Sequence, residues 1–352
     1  MDVRPQGDTA IMDDVRARRE AFYRRIDDSH CAPLWEVLHG LITPTPSTPC
    51  QPCHWPWATM WPYLQDSGRI ISAEEAERWV LVLENPGLRG RSRITHSLYA
   101  GLQLILPGEA APPHRHSQSA MRFVLQGKGA FTAVDGRRIT MNEGDFVITP
   151  AWAFHDHGNL SSEPMVWLDG LDVPIVELFD AQFMEKGDTV SYRGGDGQEN
   201  LAEFGATMKP VGFQPASKTS PLCWYPYARS REALLAFARS QAPHPCWGHK
   251  LQYVNPVTGG WAMPTIGTFL QYLPQGFDGT PYRSTDATVY AVREGSGVCR
   301  IGGLELRFGP RDVFVCPSWM PYTLHADTDA ILFSFSDRPA QQSLDIWREQ
   351  AG

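Results

Sequence analysis

The feature that most constrains the fold is an internal repeat, because a chain that carries one pattern twice builds the same unit twice. Residues 108–116 read Gly, five residues, His, Arg, His, and 276–284 read Gly, five residues, Tyr, Arg, Ser. Further on, the segment 145–152 (DFVITPAW) matches 312–319 (DVFVCPSW). Short runs with strand patterning, separated by turn signals, surround both copies. The sequence therefore predicts two similar all-β modules.

The spacing of the repeats predicts an all-β chain with helical additions. The predicted parts are an N-terminal helical and Pro-rich arm (1–95), a first module (96–180), a linker region with a short helix (181–255) and a second module (256–352). Residues 11–28 have the apolar spacing of an amphipathic helix, and 230–238 have a second helical pattern. The Pro-rich stretch 43–57 excludes a regular helix or a central strand there.

Composition excludes several classes of protein. The formal net charge is −8, whereas binding to nucleic acid phosphates needs a basic surface. No apolar run is long enough to cross a bilayer, and the first 30 residues lack the apolar core of a secretory signal. The chain has seven cysteines, an odd number, which favours reduced thiols. We therefore expect a cytoplasmic protein that binds neither nucleic acid nor membrane.

Three histidines of the first module form a candidate metal site. His114 and His116 are two residues apart, so on a strand both side chains face the same way. His155 follows in a second motif, Gly144-x5-Pro150-x-Trp152-x2-His155. Three imidazoles on one side of a metal leave other positions open for a chelating substrate and a small gas molecule. Their spacing therefore predicts a metal centre rather than three unrelated histidines.

Both spacings resemble the two cupin motifs, with two departures. The usual Glu ligand after the His pair would fall near Ala120, and Trp152 stands where the second motif has glycine. A site of three histidines without that Glu is similar to the gentisate 1,2-dioxygenase family, ring-cleaving bicupins that use Fe(II). The strings that carry the resemblance are 33–37 (PLWEV), 85–87 (NPG), 98–103 (LYAGLQ), 107–109 (PGE), 114–123 (HRHSQSAMRF), 254–256 (VNP) and 335–337 (FSD).

The resemblance implies a bicupin: two double-stranded β-helix (jelly-roll) barrels plus the N-terminal helical arm. It implies one Fe(II) per chain on His114, His116 and His155, with O2 as co-substrate. The substrate would be a 2-hydroxybenzoate that chelates iron through its carboxylate and phenolate, and both oxygen atoms would enter between C1 and C2. The family also implies a homotetramer.

The second module lacks comparable ligands. Tyr282, Ser284 and Tyr322 stand at the three ligand positions, and none is a good neutral nitrogen donor. His325 lies nearby, but a single imidazole does not make an iron site. We therefore expect one metal per chain, with the second barrel structural or part of a subunit interface.

Several residues are candidates for the substrate pocket. Arg122 shares the parity of the His pair, and its guanidinium could hold a carboxylate or stabilise bound oxygen. His157 shares the face of His155 and suits proton transfer to or from the substrate. Tyr99, Gly101 and Gln103 alternate on one strand. The family resemblance implies that seven residues lie in or around the pocket: Arg78, Val80, Tyr99, Gly101, Gln103, Trp167 and Asp169. It also implies a catalytic role for Asp169, as for Arg122 and His157.

The ring substituent of the substrate stays open at this stage. Tyr99 is similar to the gentisate enzymes, whereas the small residues Gly101 and Val80 resemble those of broader enzymes. Gentisate or a 5-substituted salicylate is therefore expected; salicylate, 5-nitrosalicylate and 1-hydroxy-2-naphthoate remain alternatives. Outside this family, the alternatives are another metal cupin (an isomerase or a manganese oxidase) and a non-catalytic cupin that senses or stores a small molecule.

A short cysteine motif is a second candidate site. Cys50, Cys53 and His54 match the pattern of covalent haem c attachment, but the surrounding stretch is Pro-rich and no export signal precedes it. No βαβ pattern supports a thioredoxin-like pair, and zinc binding remains an alternative. Whether this motif has any function stays open.

Overall fold

The computed structural model describes residues 6–76, 78–187, 197–206 and 208–352. It divides into two compact units, residues 1–47 and 48–352. The helices are α1 (Gln6–Asp27), α2 (Leu34–Leu41), α3 (Trp57–Ile70), α4 (Ala73–Ala76), α5 (Val173–Leu178), α6 (Gly197–Phe204), α7 (Tyr227–Ser240) and α8 (Arg338–Ser343). Of the helices in this described part, none combines the length and apolarity that crossing a bilayer needs.

Most of the larger unit consists of strands. From the beginning of the chain to the end of the first repeat they are β1 (Cys53–Trp55), β2 (Trp79–Val82), β3 (Tyr99–Ile105), β4 (Ala110–His116), β5 (Ala120–Gln126), β6 (Ala130–Val134), β7 (Arg137–Thr140), β8 (Phe146–Thr149), β9 (His155–Asn159), β10 (Met165–Leu171) and β11 (Met184–Lys186). They continue as β12 (Trp224–Tyr225), β13 (His249–Gln252), β14 (Gly267–Leu273), β15 (Tyr282–Ser284), β16 (Thr288–Glu294), β17 (Gly297–Ile301), β18 (Leu304–Phe308), β19 (Val313–Cys316), β20 (Tyr322–Ala326), β21 (Ala330–Ser336) and β22 (Glu349–Ala351).

Each repeat builds one six-stranded and one five-stranded antiparallel sheet. The first pair of sheets has the strand orders β12-β8-β5-β10-β3-β2 and β11-β4-β9-β6-β7. The second pair has the orders β1-β19-β16-β21-β14-β13 and β18-β17-β20-β15-β22. The six-stranded sheets match strand for strand, from β12 and β1 to β2 and β13, and the five-stranded sheets match when the second is read from β22 to β18. The sequence repeat is therefore also a structural repeat.

Backbone conformation follows the repeat down to single residues. Gly108 and Gly276 both have positive φ, +83° and +79°. Trp152 and Trp319 are both left-handed, with φ of +64° and +58°, although a side chain there is strained. This explains the departure at Trp152, because the turn keeps the conformation that glycine adopts elsewhere.

The two barrels exchange strands at their edges. Strand β1 comes before the first barrel in sequence but pairs with β19 of the second, and β12 pairs with β8 of the first. In addition, β2, β11 and β13 lie outside residues 96–180 and 256–352, yet they pair with barrel strands. The borders at 95, 180 and 255 stay predictions, and the edge strands of each barrel extend beyond them.

One apolar cluster is shared by both barrels, and a second cluster lies within the second barrel. The ring of Phe123 on β5 stacks on Phe333 of β21, with centroids 4.2 Å apart and an interplanar angle of 7°. Phe146 on β8 also packs against Phe333, at 5.4 Å. Because bulky buried side chains of both repeats meet here, the second barrel packs against the sheet of the first that contains β5 and β8.

The smaller unit, residues 1–47, contains α1 and α2. The Tyr23 hydroxyl donates to Glu36 across the two helices, and the Trp35 indole donates to Tyr23. Helix α2 buries none of its residues, and its exposed apolar side chains are Leu34, Trp35, Val37, Leu38 and Leu41.

Candidate metal centre and active site

Three histidines converge inside the first barrel. The pairing of β4 with β9 sets His114 directly opposite His155, and His116 follows two residues later on the same face. The ring centroids of His114 and His155 are 4.1 Å apart, and those of His116 and His155 are 4.9 Å apart. One nitrogen from each ring lies within 4.8 Å of the others, close enough to hold one metal ion.

Backbone carbonyls orient all three rings. The Nδ1 atoms lie 3.2 Å from Pro112 O for His114, 2.9 Å from Gln118 O for His116 and 3.0 Å from Ala153 O for His155. A carbonyl only accepts a hydrogen bond, so each Nδ1 carries the proton. The Nε2 atoms of all three rings then carry the lone pairs that would bind a metal, although that of His114 accepts a hydrogen bond from Arg78 in this structure.

The site keeps these imidazoles neutral. Burial, followed by the Arg78 guanidinium, lowers the pKa of His114 to about 3. Burial also lowers the pKa of His116 and of His155, with Arg122 adding to the effect in both. Neutral imidazole is the form that binds metals, so the site is ready for a cation at neutral pH.

A buried ion pair lies beside the histidines. Arg122 on β5 is opposite Asp169 on β10, with 3.4 Å between Arg122 Nε and Asp169 Oδ1. Arg122 also donates to the Thr149 hydroxyl at 2.9 Å, and the Trp167 indole donates to Asp169 at 3.0 Å. Burial raises the pKa of Asp169 to about 6, although Arg122 and Arg78 act to lower it. Arg122 therefore has a fixed position and a single counterion.

His157 has one ring nitrogen engaged and one without a partner. Its Nε2 lies 2.8 Å from Gln103 Nε2, and the Trp167 ring stands edge-on to it at 5.5 Å. The Nδ1 atom is buried and has no hydrogen-bond partner among the described residues. Burial, followed by Arg122, lowers the pKa of His157. A neutral, oriented imidazole with an unused nitrogen is suited to exchange a proton with a bound molecule.

Arg78 provides a second cation at the open side of the site. It lies just before β2, and its Nη2 atom is within 3.0 Å of both ring nitrogens of His114. Since the Nδ1 of His114 carries a proton, the guanidinium donates to Nε2, the atom that faces the metal position. Arg78 therefore lies at the nitrogen of His114 that would bind a metal, and it has to move from this nitrogen before His114 can act as a ligand.

Tyr99, Gly101 and Val80 form a tight group on two neighbouring strands. A β-carbon added to Gly101 would lie 2.6 Å from Val80 Cγ1 and 2.8 Å from the Tyr99 hydroxyl. Burial, followed by the Asp169 carboxylate, raises the pKa of the Tyr99 hydroxyl. The hydroxyl is therefore protonated, and it leans over the space that the missing Gly101 side chain leaves.

Comparisons with known proteins agree with this geometry. A family model described as a cupin domain matches residues 101–172. The chain is 53% identical to gentisate 1,2 dioxygenase 1 of Aquipseudomonas alcaligenes, over 95% of this chain and 97% of that protein. It is 34% identical to 5-aminosalicylate 1,2-dioxygenase of Comamonas sp, over 96% and 92% of the two chains. A structure of salicylate 1,2-dioxygenase from Pseudoaminobacter salicylatoxidans with gentisate has a TM-score of 0.89 at 34% identity, covering 95% and 94%.

The chain belongs to the gentisate/salicylate 1,2-dioxygenase family. The predicted bicupin fold is confirmed, and the chain is a ring-cleaving dioxygenase. This excludes the non-catalytic cupin among the alternatives left open by the sequence. The roles of individual side chains stay predictions, which the geometry above makes specific.

The cavity of this dioxygenase has a volume of about 910 Å³. Five candidate residues line it: Arg78, Gln103, His114, His116 and His157. The other seven candidates do not line it. His155 lies on β9 and completes the group of three histidines. Arg122, Trp167 and Asp169 form a buried layer beside these histidines, and Val80, Tyr99 and Gly101 form the tight group described above. The structure thus separates the candidate residues that line the cavity from those that lie behind its wall.

Among the lining residues that sequence reasoning missed, four have long, unbranched side chains. Gln118 follows His116 by two residues, so its parity was a usable signal. Glu109 belongs to the string 107–109 that carries the family resemblance, but it was not named as a site residue. Met184 and Lys186 lie on β11, opposite His116 and His114. Strand β11 comes from a stretch without clear periodicity, so only the structure shows that it borders the cavity.

The short cysteine motif has a structural explanation in the dioxygenase. His54 Nε2 lies 3.0 Å from Asp312 Oδ2, and Cys53 and His54 belong to β1 at the edge of the second barrel. Burial raises the pKa of Cys50 and of Cys53, which disfavours the thiolate that zinc would need. Among the described residues, the group of metal-binding type is the histidine trio, and it does not include this motif.

Proposed function

We propose that this dioxygenase uses one Fe(II) per chain, held by His114, His116 and His155, to cleave gentisate between C1 and C2. The observation that carries the proposal is the convergence of three neutral imidazoles at the wall of a cavity large enough for an aromatic acid. Imidazole donors suit iron, and three protein ligands leave positions open. The three-histidine set therefore fits the metal that the family implies.

The bound iron would hold the carboxylate and phenolate oxygens of the substrate and give O2 a place beside the ring. The chain supplies the surroundings. Arg78 faces the open side and attracts the substrate carboxylate. Arg122, fixed by Thr149 and Asp169, places positive charge where negative charge grows on oxygen during cleavage. Asp169 is a positioning residue, because it acts through Arg122.

His157 is the proton-transfer group of the proposal. Because the Gln103 amide donates to Nε2, the neutral His157 ring carries its proton on the unpartnered Nδ1, and this N–H would donate to an oxygen of the bound substrate. Gln103 holds the other ring nitrogen and so orients the ring. Trp167 packs edge-on against His157 and keeps water away from it.

The Tyr99 hydroxyl favours gentisate among the candidate substrates. It is protonated and lies beside the space at Gly101, where it would meet a ring hydroxyl. Gentisate carries such a hydroxyl at C5, whereas salicylate does not. A 5-substituted salicylate is the second candidate, because Gly101 leaves space beside Tyr99. These features give 1-hydroxy-2-naphthoate less support, and membership of the dioxygenase family excludes the isomerase and manganese oxidase reactions.

Assembly and location belong to the same proposal. The exposed apolar side chains of α2 support association of chains, and the family resemblance indicates a homotetramer. All seven cysteines are free, which supports a reducing, cytoplasmic location. The second barrel contributes no metal ligands.

The test is reconstitution with Fe(II) under anaerobic conditions, followed by oxygen uptake with gentisate, salicylate, 5-nitrosalicylate and 1-hydroxy-2-naphthoate. We expect one iron per chain and fastest uptake with gentisate, with one O2 consumed per ring opened. His116→Ala loses iron and activity together, whereas Ser284→Ala, its counterpart in the second barrel, keeps both. Iron retained in His116→Ala would refute the ligand set, and faster uptake with another substrate would refute the substrate.

A further inference from the structure

The second barrel contains polar groups whose first-barrel partners have been replaced. Gln271 on β14 is the counterpart of Gln103 on β3, because each lies opposite the matching position of the next strand. Gln103 contacts His157, but the counterpart of His157 is Leu324. Gln271 is completely buried, and neither its Nε2 nor its Oε1 has a hydrogen-bond partner among the described residues.

A second buried group has lost its partner in the same way. In the first barrel Asp169 lies opposite Arg122, and in the second Ser334 lies opposite Tyr290. The Ser334 hydroxyl is completely buried and unpartnered in the described chain. The Tyr290 hydroxyl is engaged elsewhere, since it shares a hydrogen bond of 2.7 Å with Tyr322. The ion pair of the first barrel has therefore become an orphaned hydroxyl.

A new cation enters the same interior. Lys250 on β13 lies opposite Gln271, the position that Val80 holds opposite Gln103. Its ammonium is 4.4 Å from the ring centroid of Phe269 and 5.8 Å from that of Tyr290. No carboxylate of the described residues lies within ion-pair distance of it: Asp286 pairs with Arg338, and Glu349 accepts from Tyr282.

The surroundings of the Lys250 ammonium favour the binding of an anion. Burial, followed by the nearby Arg338, lowers the pKa of Lys250 to about 7, and Asp286, Cys316 and Glu349 only partly offset this. An anion beside the ammonium would stabilise its charged form. Buried polar atoms without partners are rare in native proteins, and a bound ligand is one standard reason for them.

We propose that the second barrel is a metal-free binding site for a small 2-hydroxy acid. The carboxylate pairs with the Lys250 ammonium and accepts from Gln271 Nε2, and the hydroxyl donates to Gln271 Oε1 and accepts from Ser334. Lys250 and Gln271 are directly opposite, about 5 Å apart at their β-carbons, and Ser334 is a diagonal neighbour of Gln271 at about 7–8 Å, so one small molecule can reach all three groups. Water could satisfy Gln271 and Ser334, but it supplies no charge for Lys250.

The test uses glycolate, the smallest 2-hydroxy acid, with the iron-loaded enzyme in titration calorimetry. Wild type, Lys250→Met and the control Lys218→Met, an exposed lysine, are compared, so that any glycolate held by the first barrel is common to all three. We expect Lys250→Met to lose one site per chain, while Lys218→Met matches wild type. Gentisate turnover should stay unchanged in both variants, which keeps this test separate from the proposed function.

Ser334→Ala provides a second variant should Lys250→Met fail to fold. It keeps the ammonium and removes one hydrogen bond to the ligand hydroxyl. We expect glycolate to bind the second barrel about tenfold more weakly than in wild type, with acetate unchanged because it has no hydroxyl. Equal glycolate binding by wild type and Ser334→Ala would overturn the proposal. A crystal structure with glycolate that showed only water at Lys250, Gln271 and Ser334 would overturn it as well.

Discussion

At the scale of single residues, Gly101 leaves space between Val80 and Tyr99. An added β-carbon would meet Val80 Cγ1 at 2.6 Å and the Tyr99 hydroxyl at 2.8 Å, so Gly101→Ala must push one of them into the pocket. We expect kcat/KM for gentisate to fall by about 10- to 100-fold, since small misplacements in an active site are costly. Steady-state oxygen uptake measures this.

The double variant Val80→Ala, Gly101→Ala is the matched control for Gly101→Ala. It removes the Val80 methyl group that the new β-carbon would meet. We expect it to recover most of the lost kcat/KM. If the double variant were as slow as Gly101→Ala alone, crowding against Val80 would not be the cause.

Asp169 should give the enzyme an acidic limit. Burial raises the pKa of its carboxyl to about 6, from an ordinary value of 3.8. As the pH falls through 6, Asp169 takes up a proton and Arg122 loses its counterion. We expect kcat/KM of wild type to decrease below pH 6, whereas Asp169→Asn is slower at neutral pH and shows little change between pH 5 and 7. An unaltered acidic limb in Asp169→Asn would assign that limb to another group.

Some residues of the site could be predicted from the local sequence, and others are recognised only in the structure. The spacing of His114 and His116 and the later motif around His155 predict one interior face, and the structure brings these rings together. Parity likewise predicts an inward Arg122. The orphaned Nδ1 of His157 and the contact of Arg78 with His114 depend on packing between distant strands, which no local pattern contains.

At the scale of elements, an aspartate at the same position of each barrel forms similar hydrogen bonds. Asp145 accepts from the Trp224 indole and from the backbone of Tyr227, where α7 begins. Its counterpart Asp312 contacts His54 and accepts from the backbone of Trp57, where α3 begins. Each aspartate therefore ties an edge strand and a helix start to its barrel.

Removal of this tie should destabilise the fold without affecting the metal site. Asp312→Ala leaves the backbone amides of Trp57 and Gly309 without their acceptor. We expect it to lower the free energy of unfolding by about 2–3 kcal/mol in urea denaturation, with iron content unchanged. Asp66→Ala, at an exposed position of α3, should leave the free energy of unfolding close to that of wild type. Loss of iron in folded Asp312→Ala would contradict this separation.

Strands were easier to predict than their partners. The runs in both repeats show strand periodicity, and the structure forms β3, β5, β6, β8 and β10 within them. Helix α3 and strand β1 were missed, because proline-rich sequence hides both. Pro56 lies just before the helix, where its lack of an amide hydrogen costs nothing, and β1 is an edge strand.

At the scale of the whole molecule, the repeat predicts two barrels but not how they share their material. Periodicity cannot show that β1 serves the second barrel and β12 the first, since each pairing spans more than 70 residues of sequence. The stacked rings of Phe123 and Phe333 then belong to an apolar cluster that both barrels share. This division lets one barrel keep the metal ligands while the other keeps the fold and gains different polar groups.

Assembly is the last property that the unit division makes testable. All candidate site residues lie within 48–352, whereas the exposed apolar side chains of α2 lie within 1–47. If α2 holds chains together, deletion of 1–47 should reduce a tetramer to smaller species in light scattering while each chain keeps one iron. A full-length variant with Leu34, Leu38 and Leu41 changed to serine should dissociate in the same way, because burial of such side chains drives association. A tetramer that survives both changes would place the interface on the barrels instead.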